Sequence, residues 1–323
     1  MTVRWGMLST ASIGRVVAEA LRGSAEAQFV TVAGRDRQRA AAYANELGLP
    51  RSAASYDELL ADDEVDAVYI PLPVALHTEW TIRALRAGKH VLCEKPFAMT
   101  AADAAACFDA AEAAGKLCVE GLMWRHHPHT ALVRQLLADG AIGRLLFIRA
   151  ALSVDVPPGD IRRTGRLGGG ALLDLGCYCV SAIRLFGGQP LRVRAEQVVD
   201  AAEGADGSDL RLAATLALPG DVLGQFDVAL DYPRRDELEL IGSEGIIRVP
   251  DPWICRVDHV ELERGGAVKR LPVAGEDPYR LEFVLASRAI ATGTPPAFGR
   301  ADAIEQAAAL EAVRAAAGAN LRP

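Results

Sequence analysis

Along the first 120 residues, short apolar runs alternate with longer amphipathic stretches, the periodicity switching between two and 3.6 residues. This pattern predicts strands at Val3–Leu8, Phe29–Gly34, Ala67–Ile70, Val91–Cys93 and Leu117–Glu120. Between them it predicts helices at Ser12–Arg22, at Asp36–Leu47 with Asp36 as N-cap, at Leu76–Ala87, and from a Thr100 cap to about Ala114. Pro71 and Pro73 close the third of these strands. Strands of about five residues separated by helices of ten or more imply a parallel, doubly wound α/β sheet.

The texture changes after Met123. A helix over about Pro128–Asp139 precedes an alternating run, RLLFIRAALSV, that reads as a long strand. GGGALLDLGCYCVSAIRLFGG reads as a helix framed by glycines, and Leu191 to Leu271 carries several strands with Gly, Pro and Asp turns. Helices follow at about Pro278–Thr292 and Asp302–Ala317. A second, α+β domain with an open, largely antiparallel sheet is expected over 123–323, after the doubly wound domain over 1–122. A chain of 323 residues suits two such domains.

Half of the residues are hydrophobic and 24% are charged, the composition of a soluble globular protein. The net charge of −7 argues against a nucleic-acid partner. No apolar run reaches the ~18–20 residues that span a bilayer, and the start, MTVRWGMLSTASIG, lacks the features of a signal peptide. A cytoplasmic protein with no membrane partner is expected. The six cysteines lie scattered in apolar contexts without a CxxC pair, as expected of reduced, buried thiols.

The first strand–helix turn places Ser9, Ala11 and Gly14 at the three positions of GxGxxG. Small residues are needed there because a pyrophosphate must approach backbone amides at a helix N-terminus, making Ser9, Thr10, Ala11, Ser12 and Ile13 candidate cofactor contacts. The second strand ends in Gly34 and Arg35, with Arg37 and Arg39 behind. An arginine at this strand end accommodates a 2′-phosphate, so NADP is preferred, while Asp36 keeps NAD open. Pro71, Leu72, Pro73 and His77 are further candidates for the cofactor pocket, His77 having the alternative of capping its helix.

Asp174 and Tyr178 are four apart and share one helical face. The run VDAVYIPLPVALHTEWTIRALRAGKHVLCEKP, followed by GGGALLDLGCY, resembles the glucose-fructose oxidoreductase/inositol dehydrogenase superfamily over nearly the whole chain. The resemblance implies an N-terminal Rossmann domain, hydride transfer between NAD(P) and a sugar or polyol carbon, and a homodimer or homotetramer formed through the C-terminal sheet. It makes Lys95 of the Glu-Lys-Pro signature the group that stabilises the developing alkoxide, and it places Glu94 near the nicotinamide ribose. A cis Lys95–Pro96 bond is expected by the same likeness. Tyr178 stands where many relatives have a histidine acid/base. That departure points to the branch of D-xylose dehydrogenase, dimeric dihydrodiol dehydrogenase and sugar 3-ketoreductases, with Tyr178 as acid/base and Asp174 positioning substrate or tyrosine. A free phenol titrates near ~10, and a nearby ammonium lowers that value.

In GLMWRHHPHT, the resemblance puts Trp124 and Arg125 at the cofactor and His127 at the substrate. Three histidines in four positions look metal-binding, but Pro128 breaks the helical pairing and no metal is expected. Arg162, Arg163 and Arg166 precede the glycines, with Arg162 a candidate substrate contact. The expected substrate is a sugar or keto-sugar, for an aldose 1-dehydrogenase of the D-xylose type or a keto-sugar reductase. A nucleotide-sugar 3-ketoreductase would need these arginines as a diphosphate pocket. A non-catalytic NAD(P)-binding regulator would need no Lys95–Tyr178 pair.

Overall fold

The computed structural model describes residues 1–200 and 208–318, which form two compact units. The first comprises Met1–Met123 with Tyr279–Ile304, and the second comprises Trp124–Pro278 with the chain from Glu305 onward. The first unit therefore takes in a segment that the sequence assigns to the second domain.

In the first unit, strands β1 (Val3–Leu8), β2 (Ala27–Ala33), β3 (Arg51–Ala53), β4 (Ala67–Ile70), β5 (His90–Glu94) and β6 (Cys118–Gly121) form one sheet in the order β3-β2-β1-β4-β5-β6. Every pairing is parallel. This is the doubly wound dinucleotide-binding order, with its switch point beside β1. Helices α1 (Ile13–Ala20), α2 (Arg37–Leu47), α3 (Tyr56–Leu60), α4 (His77–Arg86) and α5 (Ala101–Ala114) make the crossovers. Their ends follow side-chain chemistry: Asp36 caps α2 through Arg39 N, and Thr100 caps α5 through Asp103 N. The expected elements are present, with one addition. Arg51–Ala53 and Tyr56–Leu60 form a short strand and helix that hydrophobic periodicity does not reveal.

The unit's core gathers Trp5, Met7, Phe29, Val32, Tyr43, Tyr69 and Leu92, all buried. Helix α8 (Pro278–Thr292) closes it. Phe283 packs edge-on against Trp5 at 4.9 Å, Tyr69 at 5.2 Å and Phe29 at 5.5 Å, and Trp5 Nε1 donates to Ser287 Oγ at 3.1 Å.

The second unit is built on eight strands: β7 (Leu145–Ser153), β8 (Arg192–Val199), β9 (Asp209–Ala217), β10 (Leu223–Ala229), β11 (Arg235–Gly242), β12 (Gly245–Arg248), β13 (His259–Arg264) and β14 (Ala267–Pro272). Their order is β14-β13-β12-β11-β7-β10-β9-β8, antiparallel except for β7 beside β10. Helix α6 (Pro128–Ala138) precedes the sheet. Helix α7 (Cys177–Gly187) lies across it, and α9 (Arg300–Gly318) ends the described chain. On β9, Leu212, Ala214 and Leu216 face inward while the residues between them are exposed. Helix α7 comes so close that a Cβ on Gly224 would meet Ile183 Cγ2 at 2.7 Å. The apolar stretch Gly165–Gly187, long enough to cross a membrane, is 78% buried over its most apolar window, as the central helix of this unit.

Candidate active site

The parallel register brings one end of every first-unit strand to a single edge: Leu8 pairs with Ala33, Met7 with Tyr69, and Ile70 with Cys93. The residues just beyond these carboxyl ends are Ser9, Gly34 with Arg35, Pro71, and Lys95, so sequence positions far apart become neighbours. Ligands of open α/β sheets bind at this edge.

Ser9 takes the place of the first glycine with φ of 143°, a conformation that side chains rarely adopt. Its hydroxyl donates to Pro71 O at 3.0 Å and accepts from Ala11 N at 3.1 Å, which fixes the turn and ties it to the end of β4. Gly14 fills the third position for a steric reason, since a Cβ would lie 2.5 Å from Met7 Sδ and 2.6 Å from Tyr43 Oη. Tyr43 Oη in turn donates to Ala11 O at 2.6 Å. Ser12, at the N-cap of α1, makes no capping bond through its side chain, and Ile13 packs against the core. Gly34 leaves room for Thr10, whose Cγ2 would stand 3.3 Å from an added Cβ. This cradle of small residues at a helix N-terminus fits a pyrophosphate. Arg35 and Arg39 are exposed beyond β2, while the Asp36 carboxylate is committed to the α2 cap.

Strand β5 ends in Glu94, whose Oε1 accepts from Tyr69 Oη at 2.5 Å and whose Oε2 accepts from Lys95 N at 3.2 Å. Burial, then the nearby Glu94 charge, push the Tyr69 phenol well up, so it serves only as a donor. The Lys95–Pro96 bond is cis. His77 is completely buried, with Nε2 2.7 Å from Leu72 O and Nδ1 2.9 Å from Pro96 O. It therefore neither lines a cofactor surface nor caps α4 through its side chain. It links the Pro71–Pro73 turn to the residue after Lys95. Burial lowers its pKa, the two carbonyl contacts opposing.

In the second unit, Asp174 lies in a π-helical turn, Leu172–Gly176, that runs directly into α7, where Tyr178 follows. Tyr178 is 7% exposed and its ring packs on Trp253 at 5.9 Å. Arg162 is held by Asp160 through Nε and a terminal nitrogen at 3.1 and 3.0 Å, and the Asp174 charge helps to raise its pKa. Arg163 is buried, donating to Leu230 O at 3.1 Å. Trp124 is fully buried against Trp253 and Phe186, which makes its side chain part of this unit's core and not a cofactor surface. Arg125 is buried as well, with Nε donating to Ser181 Oγ at 2.7 Å.

His127 and His129 are brought together as their spacing implies, and the fold adds a partner the sequence does not announce, Cys255. All three are buried. His127 Nδ1 accepts from His129 N at 3.3 Å and lies 3.0 Å from His129 Nδ1; His129 Nε2 lies 3.9 Å from Cys255 Sγ. Because His127 Nδ1 is the acceptor, His129 carries its proton on Nδ1 and leaves Nε2 bare beside Cys255 Sγ, whose thiol donates to Pro252 O at 3.6 Å. Burial keeps the cluster neutral, lowering His129 to about 3 and pushing the Cys255 thiol up. Hydrogen bonding joins the two imidazoles, and the ligand atoms of all three residues lie within 4.8 Å of one another.

Residues 3–122 match the model of an oxidoreductase family with an NAD-binding Rossmann fold, and residues 130–248 match the GFO/IDH/MocA C-terminal domain. The chain belongs to the Gfo/Idh/MocA oxidoreductase family. It is 35% identical over 317 residues to D-xylose 1-dehydrogenase (NADP(+)) 2 of Haloferax volcanii, covering 96% of this chain and 95% of that one. To a dTDP-3,4-didehydro-2,6-dideoxy-alpha-D-glucose 3-reductase of Saccharopolyspora spinosa it is 35% identical, covering 96% of each. The crystal structure of a 3-ketoreductase from Actinomadura kijaniata, in complex with NADP and TDP-benzene, superposes with a TM-score of 0.92 at 30% identity, covering 98% of both chains. As a Gfo/Idh/MocA protein the chain is an NAD(P)-dependent oxidoreductase, and the turn at Ser9–Gly14 has the shape that this cofactor requires.

Proposed function

We propose that this chain is an NADP-preferring dehydrogenase of free sugars that oxidises the C1 hydroxyl of an aldose such as D-xylose. The observation that carries this choice is the use made of the arginine loop. Arg162 is neutralised by Asp160 and Arg163 is buried against Leu230 O and Asp200, which leaves Arg166 alone exposed and too little charge for a nucleotide diphosphate. The preference for NADP rests on Arg35, exposed at the end of β2, beside an Asp36 carboxylate occupied with its helix cap.

NADP held by the Ser9–Gly14 turn would supply the hydride acceptor. Lys95 donates a hydrogen bond to the reacting oxygen and stabilises the negative charge that grows there. Tyr178, entering the step as its phenolate, receives the hydroxyl proton as the carbonyl forms and becomes the neutral phenol, and Asp174 orients the substrate beside Arg162. Glu94 holds the Lys95 backbone and reaches the nicotinamide ribose; Ser9–Ile13 take the pyrophosphate. Arg125 borders the cofactor and His127, its tautomer set by His129, borders the sugar. Residues 1–122 supply the cofactor half and 123–323 the substrate half, working in the cytoplasm as a homodimer or homotetramer. Val198, 50% exposed, and Leu223, 43% exposed, lie on strands of the open sheet that would be covered in such an assembly.

The test is reduced-cofactor formation from free aldoses, D-xylose and D-glucose first, with NADP and NAD in parallel. Turnover with NADP supports the assignment. Tight NADPH binding without turnover of any free aldose overturns it in favour of keto-sugar reduction, the reaction named for the Saccharopolyspora relative.

A further inference from the structure

The helix bearing Asp174 and Tyr178 has a closely constrained beginning. The chain leaves the arginine loop through Gly168, Gly169 and Gly170, and Gly170 N donates to Arg162 O at 2.8 Å. A Cβ on Gly169 would lie 2.6 Å from that same carbonyl oxygen. Gly170 has φ of 121°, and a Cβ on it would overlap Asp209 Oδ1. The other oxygen, Asp209 Oδ2, accepts from Leu172 N at 2.7 Å. Asp174 N then closes on Gly170 O at 2.9 Å. Asp209 opens β9, and its neighbour Ser208 donates through its hydroxyl to Arg163 O at 2.8 Å. The residue that opens β9 and the one just before it thus grip both the arginine loop and the first turn of the helix.

We propose that Asp209 is the positioning residue of this helix, fixing where its first turn starts and hence where Asp174 and Tyr178 are presented. The proposal rests on the assignment of Tyr178 as proton acceptor made above. A serine or asparagine would accept the Leu172 amide without burying a charge. A carboxyl group adds a second oxygen in the same rigid plane, set against Gly170. Although Asp209 as a residue keeps some exposure, its carboxyl group is turned inward, and burial raises it to about 7 against the pull of the Leu172 amide and the Arg314 charge. Asp209 acts only through Leu172 and Gly170, and so belongs to positioning and not to the chemical step.

The experiment compares Asp209→Ala, Asp209→Asn and Tyr178→Phe as NADP complexes, measuring kcat, KM, cofactor affinity and hydrogen exchange at the Leu172 amide. Asp209→Ala is expected to lower kcat at least about tenfold, as loss of a cap of this kind allows. It should leave NADP affinity unchanged and accelerate Leu172 exchange to a similar degree. Asp209→Asn retains an acceptor oxygen and is expected to restore most of both. Wild-type kcat or unchanged Leu172 exchange in Asp209→Ala overturns the proposal. Should that variant fail to fold, Gly170→Ala presses on the same carboxylate from the other side, and unaltered kcat there is equally fatal. Turnover that survives Tyr178→Phe refutes the proton assignment; turnover lost in Tyr178→Phe but intact in Asp209→Ala refutes the anchor alone.

Discussion

Replacing Gly14 by alanine tests whether the cofactor turn is shaped by the packing beneath it. The new methyl would lie 2.5 Å from Met7 Sδ and 2.6 Å from Tyr43 Oη, and both side chains are buried, at 0% and 3% exposure. Overpacking of this kind costs about 1–3 kcal/mol. If Tyr43 yields, its bond to Ala11 O is lost for about another 1 kcal/mol. Alanine in place of glycine within α1 returns about 1 kcal/mol of helix propensity. The net loss is about 1–3 kcal/mol, which at roughly 2–4 °C per kcal/mol for a unit of this size lowers the first thermal transition by about 2–12 °C. NADP affinity falls with it, since the displaced Ala11 carbonyl belongs to the phosphate turn. Calorimetry and a fluorescence titration with NADPH measure the two effects. Tyr43→Phe removes the Tyr43 clash and the bond but leaves the Met7 clash, so Gly14→Ala costs less in that background without becoming neutral. A Gly14→Ala protein that melts and binds NADPH as the wild type does would refute the steric account of this position.

Lys95→Met removes the ammonium from the end of β5 and is expected to lower kcat by at least about a hundredfold, the scale of one lost oxyanion donor, with the NADPH dissociation constant nearly unchanged; single-turnover kinetics check it. Arg35→Ser is expected to raise KM for NADP by about tenfold to a hundredfold, the worth of one charge-assisted bond, while sparing NAD; steady-state kinetics with both cofactors decide. Stability should also report Asp209. Its carboxyl ionises near ~4 in the unfolded chain but at about 7 when folded, so its stabilising contribution is full below ~4 and is lost as pH rises through 7. Denaturant titrations of the wild type and of Asp209→Asn across that range should diverge in this sense, and parallel curves would refute the burial.

The first unit was largely legible because its strands are bounded by strong punctuation, Pro71 after β4 and Glu94-Lys95-Pro96 after β5. Strand β3 escaped because it has three residues and only Ala53 is buried. Helix α3 did carry a signal, Ser55 with Glu58 three residues on, and Ser55 Oγ caps it by accepting from Glu58 N at 3.1 Å. Spacing alone marked Asp174 and Tyr178 but not the π turn between Gly170 and α7, whose Leu172 amide donates to Asp209 far along the chain. Tyr69 and Cys255 were hidden for the same reason, since each meets its partner, Glu94 or His129, across the fold. His77 and Trp124 were noticed for their chemistry, but their complete burial depends on three-dimensional packing that periodicity does not report.

The return of Tyr279–Ile304 to the first unit has a consequence for how this protein comes into being. The nucleotide-binding half is not an N-terminal module that a ribosome can finish early. Until Phe283 has been synthesised, the faces of Trp5, Phe29 and Tyr69 that it covers have no lid, although the other unit's strands have already emerged. A fragment cut at residue 122 would carry the whole phosphate turn and Lys95, yet display a patch of aromatic rings to solvent. The smallest piece of the first unit that keeps this core covered is therefore set by the return path of the chain.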